Sequence, residues 1–384
     1  MMLTRTLLVL GSSAGLSSLS AQEIATGVFL NGWSDNVLTW AHDPSKTEGG
    51  GSLGAENFDS VDFSTSALLR VDWTVNSQVS GRVSVRFNDV GGTPATDVGQ
   101  AGAYLTESWV MVQVSESTSV TMGKFYNLFG WQGAEPTQLN RIGYGLTVDY
   151  YGANDPLGVT VAYTRGDFLA MFQASNGFFK PSDGTNTGSV NSNYPLLNDH
   201  QRNDLGLFAD FTLTPGGESN FVNLEFAWDP SSSAAAGVSP AATPFPGSIF
   251  QAGLNGTYHP NEKLLLGGEV IYRNSQNGVV ATNGSFDSKQ DLAWMATATQ
   301  TLDTAEKLCP MAATLMFSSD NQDVMGDKNT SLPVQSQVAL ALLTNPYDTT
   351  NFGLNLEYQY QWGEGTNSNT ATSRIMLEGL VVIP

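Results

Sequence analysis

The sequence predicts an all-β protein, a transmembrane antiparallel up-and-down β-barrel of about sixteen strands. Three observations carry this prediction: long segments in which apolar and polar residues alternate, a regular exchange of short and long connections, and an unusual composition. Only 14 % of the 384 residues are charged, whereas 40 are glycines. Soluble globular proteins have roughly 25 % charged residues, and abundant glycine with polar residues suits many strands joined by turns.

Alternation with a period of two is clearest between Val61 and Val75. Odd-numbered positions there are nearly all apolar, and most even-numbered positions are polar or charged. The pattern resumes from Val79 to Phe87. Because successive side chains of a strand point to opposite faces, each segment has one apolar face. The 15 residues from 61 to 75 exceed an ordinary globular strand and suit a tilted strand that crosses a bilayer.

Further segments with the same tendency bring the predicted strands to sixteen. Besides 61–75 and 79–87, they are 24–40, 103–115, 118–126, 157–164, 167–175, 204–214, 220–228, 248–258, 263–273, 290–301, 308–318, 333–343, 351–361 and 372–383. Aromatic residues near strand ends, Trp33 and Trp228 among them, are interpreted as an interfacial girdle.

The connections alternate between short turns and long loops. The long ones are 41–60, 88–102, 127–156, 176–203, 229–247, 274–289, 319–332 and 362–371. This asymmetry is typical of outer-membrane barrels, with short periplasmic turns and long extracellular loops. Residues 141–151 also alternate, but counting them as a strand would move every later long loop to the periplasm. We therefore interpret 127–156 as one loop.

The N-terminus has the layout of a secretory signal peptide. Arg5 precedes the apolar run LLVL and a small-residue tail, with a cleavage site after Ser20 or Ala21. We expect residues 1–21 to be the signal peptide and 22–384 to be a single barrel domain. The remaining chain lacks a run of eighteen apolar residues, so spanning helices are not expected. A closed barrel is the other structure that lipid tolerates, and it predicts a bacterial outer membrane.

Three arginines fall on one predicted hairpin, which covers residues 61–87. The register that matches its apolar faces places Asp72 opposite Arg82 and Arg70 opposite Ser84. Arg70, Arg82 and Arg86 then form one patch on the face away from lipid. In a dry core these charges would be costly, whereas the wall of a water-filled lumen tolerates them. Two compatible interpretations stay open: pore lining, or salt bridges to Asp72 and loop carboxylates.

Part of the chain carries a recognisable motif order. A strand that ends in Gly-Lys-Phe precedes a Phe-Gly, and a Tyr-rich stretch then leads into a Gly-Val strand. Over residues 107–136 and 140–163 the chain resembles bacterial outer-membrane porins of the OmpL-like β-barrel family. The matching residues are Gly123, Lys124, Phe125, Phe129, Gly130, Tyr144, Gly158 and Val159.

The strand count also resembles the sixteen-stranded general porins. In those proteins the long loop after the fifth strand folds into the barrel, and its acidic groups face basic residues of the wall. The resemblance implies that 127–156 is a constriction loop whose Glu135, Asp149 and Asp155 oppose the three arginines of the hairpin.

The sequence therefore predicts a passive diffusion channel for small hydrophilic solutes and ions, embedded in outer-membrane lipid and without enzymatic activity. A net charge of −20 disfavours nucleic acid as a partner. With three histidines and one cysteine, no metal or other cofactor is expected. The alternative is a plugged structural or adhesive barrel that presents acidic surface loops. A homotrimer is left open as the assembly state.

Overall fold

In the computed structural model, the alternating segments form one antiparallel sheet. The structure describes residues 22–43, 58–90, 102–125, 129–130, 142, 146–147, 156–176, 205–215, 220–232, 247–280, 286–302, 311–321, 334–344, 352–364 and 370–383. Its strands are β1 (Gln22–Ala25), β2 (Val28–Asp43), β3 (Phe58–Thr74), β4 (Val79–Val90), β5 (Gly102–Gln113), β6 (Thr118–Lys124), β7 (Leu157–Arg165), β8 (Phe168–Ser175), β9 (Gly206–Leu213), β10 (Phe221–Ser232), β11 (Gly247–Asn261), β12 (Leu264–Val280), β13 (Phe286–Leu302), β14 (Met311–Asn321), β15 (Val334–Thr344), β16 (Phe352–Glu364) and β17 (Thr370–Ile383).

The sheet closes into a ring because its last strand pairs with the first long one. From β2 to β17 each strand is antiparallel to the next, and β17 returns to β2 from Ser373 opposite His42 to Ile383 opposite Gly32. These sixteen strands form the barrel. The short β1 pairs with β2 opposite Val28 to Leu30, just beyond the point where β17 ends. It therefore covers backbone groups of β2 that would otherwise form an exposed edge.

The sixteen predicted strands correspond to β2–β17, which confirms the predicted fold class. Because β6 pairs directly with β7, the segment between them contributes no spanning strand, as predicted. The predicted loop 274–289 is too long: β12 runs to Val280 and β13 starts at Phe286. Its polar residues suggested a loop, but backbone pairing such as Gln276 with Ser288 needs no apolar side chain.

The two faces of the sheet differ sharply in chemistry. Outward side chains such as Leu69, Val110, Leu254 and Leu377 are exposed and apolar, whereas inward ones are largely polar. A soluble protein rarely exposes so much apolar surface, but a barrel in lipid requires it. The architecture therefore indicates the bacterial outer membrane. Among the residues that the structure describes, no helix is long and apolar enough to cross a membrane.

The turn between β3 and β4 shows how the local sequence sets the register. The Val75 N–H donates to the Val79 carbonyl at 2.9 Å. The side-chain oxygen of Asn76 accepts hydrogen bonds from the backbone N–H groups of Gln78 (2.8 Å) and Val79 (2.9 Å). This Asx turn sets the register in which β3 and β4 pair. In that register the apolar faces of both strands point to the outside of the barrel.

Candidate functional site

The three arginines lie on the inner face of the β3–β4 hairpin. Asp72 is opposite Arg82 and Arg70 is opposite Ser84, which is the register that the sequence predicted. The neighbouring Leu69 points outward and is 42 % exposed. Alternation therefore sends the apolar side chains to the lipid side and the charged ones into the barrel.

Glu107 on β5 connects two of the arginines. Its Oε2 lies 3.4 Å from Nη2 of Arg70, and its Oε1 lies 3.5 Å from Nη1 of Arg82. The same carboxylate accepts hydrogen bonds from Ser84 Oγ at 3.1 Å and from Trp109 Nε1 at 3.3 Å. Glu107 is only 5 % exposed. These donors replace the water that the buried carboxylate has lost.

Asp72 binds Arg82 from the other side. The Arg82 Nε lies 2.6 Å from Asp72 Oδ1, and Asn31 Nδ2 donates to Asp72 Oδ2 at 2.9 Å. Arg82 therefore has a carboxylate partner on its own hairpin and another on β5. The salt-bridge interpretation of the sequence is correct for Arg82 and Asp72.

Two indole rings support the guanidinium groups on the wall. The Cζ of Arg82 is 5.4 Å from the ring centroid of Trp109, and the Cζ of Arg86 is 5.2 Å from that of Trp33. At these distances a cation is attracted to the face of the ring. Trp33 is 2 % exposed and belongs to the inner wall, so its predicted place in the outer girdle is wrong. Trp228, by contrast, is exposed on the outer face.

Sequence reasoning missed Glu107 because both faces of its strand look apolar. Trp109 and Met111 share its face, while Val110 and Val112 occupy the other. In addition, the register shifts between the pairs Ser84–Glu107 and Val85–Leu105. Such a bulge re-aims the side chains that follow it and is not visible as a break in alternation.

The hairpin charges remain partly accessible to water. The side chains of Arg70, Arg82 and Asp72 are 15 %, 18 % and 26 % exposed. Inward carboxylates elsewhere on the wall, such as Glu225 and Glu357, are almost completely buried. A solute inside the barrel therefore meets the hairpin charges more readily than those carboxylates.

The described residues of segment 127–156 lie against the inner wall, and Phe129 contacts its side opposite the β3–β4 hairpin. The Phe125 N–H donates to the Pro156 carbonyl at 3.0 Å and joins the two ends of the segment. The Phe129 ring lies 6.4 Å from that of Phe208. It belongs to an inward apolar cluster that also contains Met171, Ala227, Ile249, Ile271 and Ala293. This cluster extends from β8 to β13, and in the ring of strands β12 is eight strands from β4.

Side chains of the wall also bind the backbone of this segment. Glu225 accepts from the Gly130 N–H at 2.8 Å, Glu357 accepts from the Ile142 N–H at 2.5 Å, and Ser318 Oγ accepts from the Leu146 N–H at 3.4 Å. The contacts spread over β10, β14 and β16. The predicted partners of the arginines, Glu135, Asp149 and Asp155, lie outside the described residues.

A metal site was not expected, and within the ranges that the structure describes no group of His, Cys, Asp and Glu side chains is arranged to hold an ion. His200 and Cys309 are outside those ranges. The candidate site is the charged inner wall, centred on Arg70, Arg82 and Glu107, because these side chains form one connected set of ion pairs.

Comparison with known proteins finds likeness in structure alone, since no protein family and no curated protein matches the sequence. OprB of Pseudomonas putida superposes with a TM-score of 0.61 at 9 % identity, covering 93 % of this chain and 94 % of OprB. The fold is that of the outer-membrane porins. The anion-selective porin of Comamonas acidovorans gives 0.59 at 9 % identity, covering 93 % and 100 % of the two chains. The channel DcaP of Acinetobacter baumannii gives 0.58 at 12 % identity, covering 95 % and 100 %.

Proposed function

We propose that this chain is an outer-membrane porin, a passive channel without enzymatic activity through which small hydrophilic solutes and ions diffuse. One observation carries the proposal: the ring of sixteen strands has an apolar outer face and a polar, charged inner wall. A wall of this chemistry tolerates water and hydrated solutes, whereas a solid protein core would require apolar packing. DcaP and the Comamonas protein, which share the fold, are described as a channel and a porin.

We propose in addition that segment 127–156 narrows the lumen. Support comes from the contacts of Phe129, Gly130 and Ile142 with inward side chains of the wall. The contacts of Phe129 and Gly130 lie on the side of the ring away from the β3–β4 hairpin, whereas Ile142 contacts β16, three strands from β3. Acidic groups of the segment, Glu135, Asp149 and Asp155, would then face the arginines across the remaining gap.

Such an arrangement would produce a transverse electric field. Positive charge of Arg70, Arg82 and Arg86 on one side and negative charge on the other would orient water molecules between them. Passage of an apolar solute would disturb that ordered water, so small polar solutes and ions would be favoured. Solute passage in this proposal involves no covalent step and no cofactor.

Three further assignments belong to the same proposal. Residues 1–21 would be removed as a signal peptide, which leaves 22–384 as the mature barrel. The motif around Gly123 to Gly130 supports a relation to the OmpL-like porins. A homotrimer is the proposed assembly, and one structure of Vibrio cholerae OmpT, which shares the fold, is described as a trimer form.

Reconstitution of the mature protein tests the function. In planar bilayers we expect stepwise ionic current, and in liposomes we expect sugar uptake that falls with sugar size. A plugged structural barrel would show neither ionic current nor sugar uptake.

The triple variant Arg70→Ser, Arg82→Ser, Arg86→Ser should change the ratio of cation to anion permeability. Arg165→Ser, at the exposed end of β7, is the control for loss of positive charge. Equal permeability ratios in the triple variant and the wild type would exclude the three hairpin arginines from the permeation path.

A further inference from the structure

We propose that Glu107 is a specificity-determining residue of the channel, because it holds Arg70 and Arg82 against the wall and so limits the positive charge offered to anions. This inference rests on the proposed porin function. It concerns a residue on β5, outside the β3–β4 hairpin that carries the arginines.

The position of Glu107 suits this role. Its two carboxylate oxygens face different arginines, Oε2 toward Arg70 at 3.4 Å and Oε1 toward Arg82 at 3.5 Å. The shift in register between Ser84–Glu107 and Val85–Leu105 places this carboxylate beside the hairpin. The two guanidinium groups thus share one buried acceptor, and each is drawn toward the wall.

The carboxylate is itself fixed from behind. Ser84 Oγ donates to Oε2 at 3.1 Å and Trp109 Nε1 donates to Oε1 at 3.3 Å. The Trp109 ring also lies 5.4 Å from the Cζ of Arg82. One indole therefore supports both members of the Arg82–Glu107 pair. Because Glu107 is anchored, the long and flexible arginine side chains must come to it.

The charge balance of the cluster depends on this residue. Arg70 and Arg82 face two carboxylates, Asp72 and Glu107, so these four side chains carry no net charge. Neutralising Glu107 leaves one net positive charge on them. It also replaces a carboxylate by an uncharged group that attracts the Arg70 guanidinium less strongly, so that this group is held less firmly at the wall. Both changes raise the local concentration of anions.

The decisive experiment compares Glu107→Gln with wild type in planar bilayers by the reversal potential across a potassium chloride gradient. We expect the ratio of chloride to potassium permeability to rise about threefold at 0.1 M salt, where an added unit charge acts over about 10 Å. The control is Glu116→Gln in the exposed turn between β5 and β6. It removes the same charge far from the arginines and should leave the ratio unchanged.

A second comparison holds even if Glu107→Gln assembles poorly. In an Arg70→Gln background, adding Glu107→Gln completes the loss of one ion pair and should still raise the chloride ratio, because one negative charge is removed, but by less than in the wild-type background. An unchanged ratio in both backgrounds, or an equal rise in Glu116→Gln, overturns the inference and leaves the porin function intact. A wild-type protein that carries no current overturns both.

Discussion

The backbone N–H of Gly130 donates a 2.8 Å hydrogen bond to Oε2 of Glu225, a β10 residue that is 1 % exposed. Asn223 donates to the other oxygen of the same carboxylate at 2.6 Å. Gly130 has a φ of +98°, and a Cβ at this position would lie 2.9 Å from Oε1 of Glu269. The contact thus requires glycine both for its backbone conformation and for its lack of a side chain.

Gly130→Ala is expected to weaken the attachment of segment 127–156 to the wall. An alanine at this φ is strained by about 1–3 kcal/mol, and its Cβ would push against Glu269. We expect a larger or more variable single-channel conductance, and earlier thermal unfolding in detergent. Gly166→Ala is the control, since Gly166 also has a positive φ, +59°, but nothing within 4 Å of the added Cβ. A conductance of Gly130→Ala that equals that of Gly166→Ala would contradict the attachment.

Phe129→Ala tests the apolar cluster on the inner wall. Truncating a buried phenylalanine costs about 3–5 kcal/mol when the cavity cannot collapse, and here it would release the segment from Phe208 and Ile271. Liposome swelling should show faster uptake of the larger sugars than in wild type. Phe172→Ala removes the same ring from the outer face, where it is 53 % exposed, and should leave sugar uptake unchanged. An identical size limit in both variants would argue against a role of Phe129 in setting pore width.

Gly81→Ala should destabilise the hairpin from its outer face. A Cβ on Gly81 would lie 2.4 Å from Cζ2 of Trp73, so the indole that covers this glycine must move. Overpacking of this kind costs about 1–3 kcal/mol in the free energy of unfolding. Gly379→Ala, where nothing lies within 4 Å of the added Cβ, should change stability by less than about 0.5 kcal/mol. Reversible urea unfolding in a lipid or detergent system measures the free energy of unfolding of both variants. Equal free energies would show that the Trp73 side chain moves aside without destabilising the barrel.

Closure of the barrel between β17 and β2 is testable by cross-linking. Leu38 and Leu377 are directly opposite each other in the sheet, and both point outward. In a background with Cys309→Ser, the pair Leu38→Cys and Leu377→Cys should oxidise to a disulfide, because opposite Cα atoms are about 4.5–5.5 Å apart. Leu38→Cys with Leu356→Cys, which has β17 between the two positions, should not. A disulfide in the second pair but not in the first would contradict the pairing of β17 with β2.

Much of the fold follows from local sequence because a strand in a barrel wall has only two environments. Alternation between Val61 and Val75 separates lipid-facing from inward residues, and the short Asn76 turn fixes the β3–β4 register. Together these two features suffice to place Arg70, Arg82 and Asp72 on one face. The parity of short and long connections likewise identifies 141–151 as part of a loop.

The site could not be completed from sequence, because its other members come from neighbouring strands. Glu107 lies on a strand with apolar residues on both faces and follows a bulge, so alternation gave no orientation for it. Trp33 was placed in the outer girdle, although it faces inward beneath Arg86. An aromatic residue is compatible with lipid and with a guanidinium group, and only its neighbours decide between them.

The sequence by itself thus determined the strands, their faces, the register of the β3–β4 hairpin and the order of turns and loops. These depend on interactions between residues close in the chain, or on a period of two. Only the tertiary structure decided three further features. They are the pairing of β17 with β2, the ion pairs of Glu107 with Arg70 and Arg82, and the places where Gly130 and Ile142 contact the wall. Those contacts join residues such as Ile142 and Glu357, which are 215 positions apart, and they exist only once the barrel has closed.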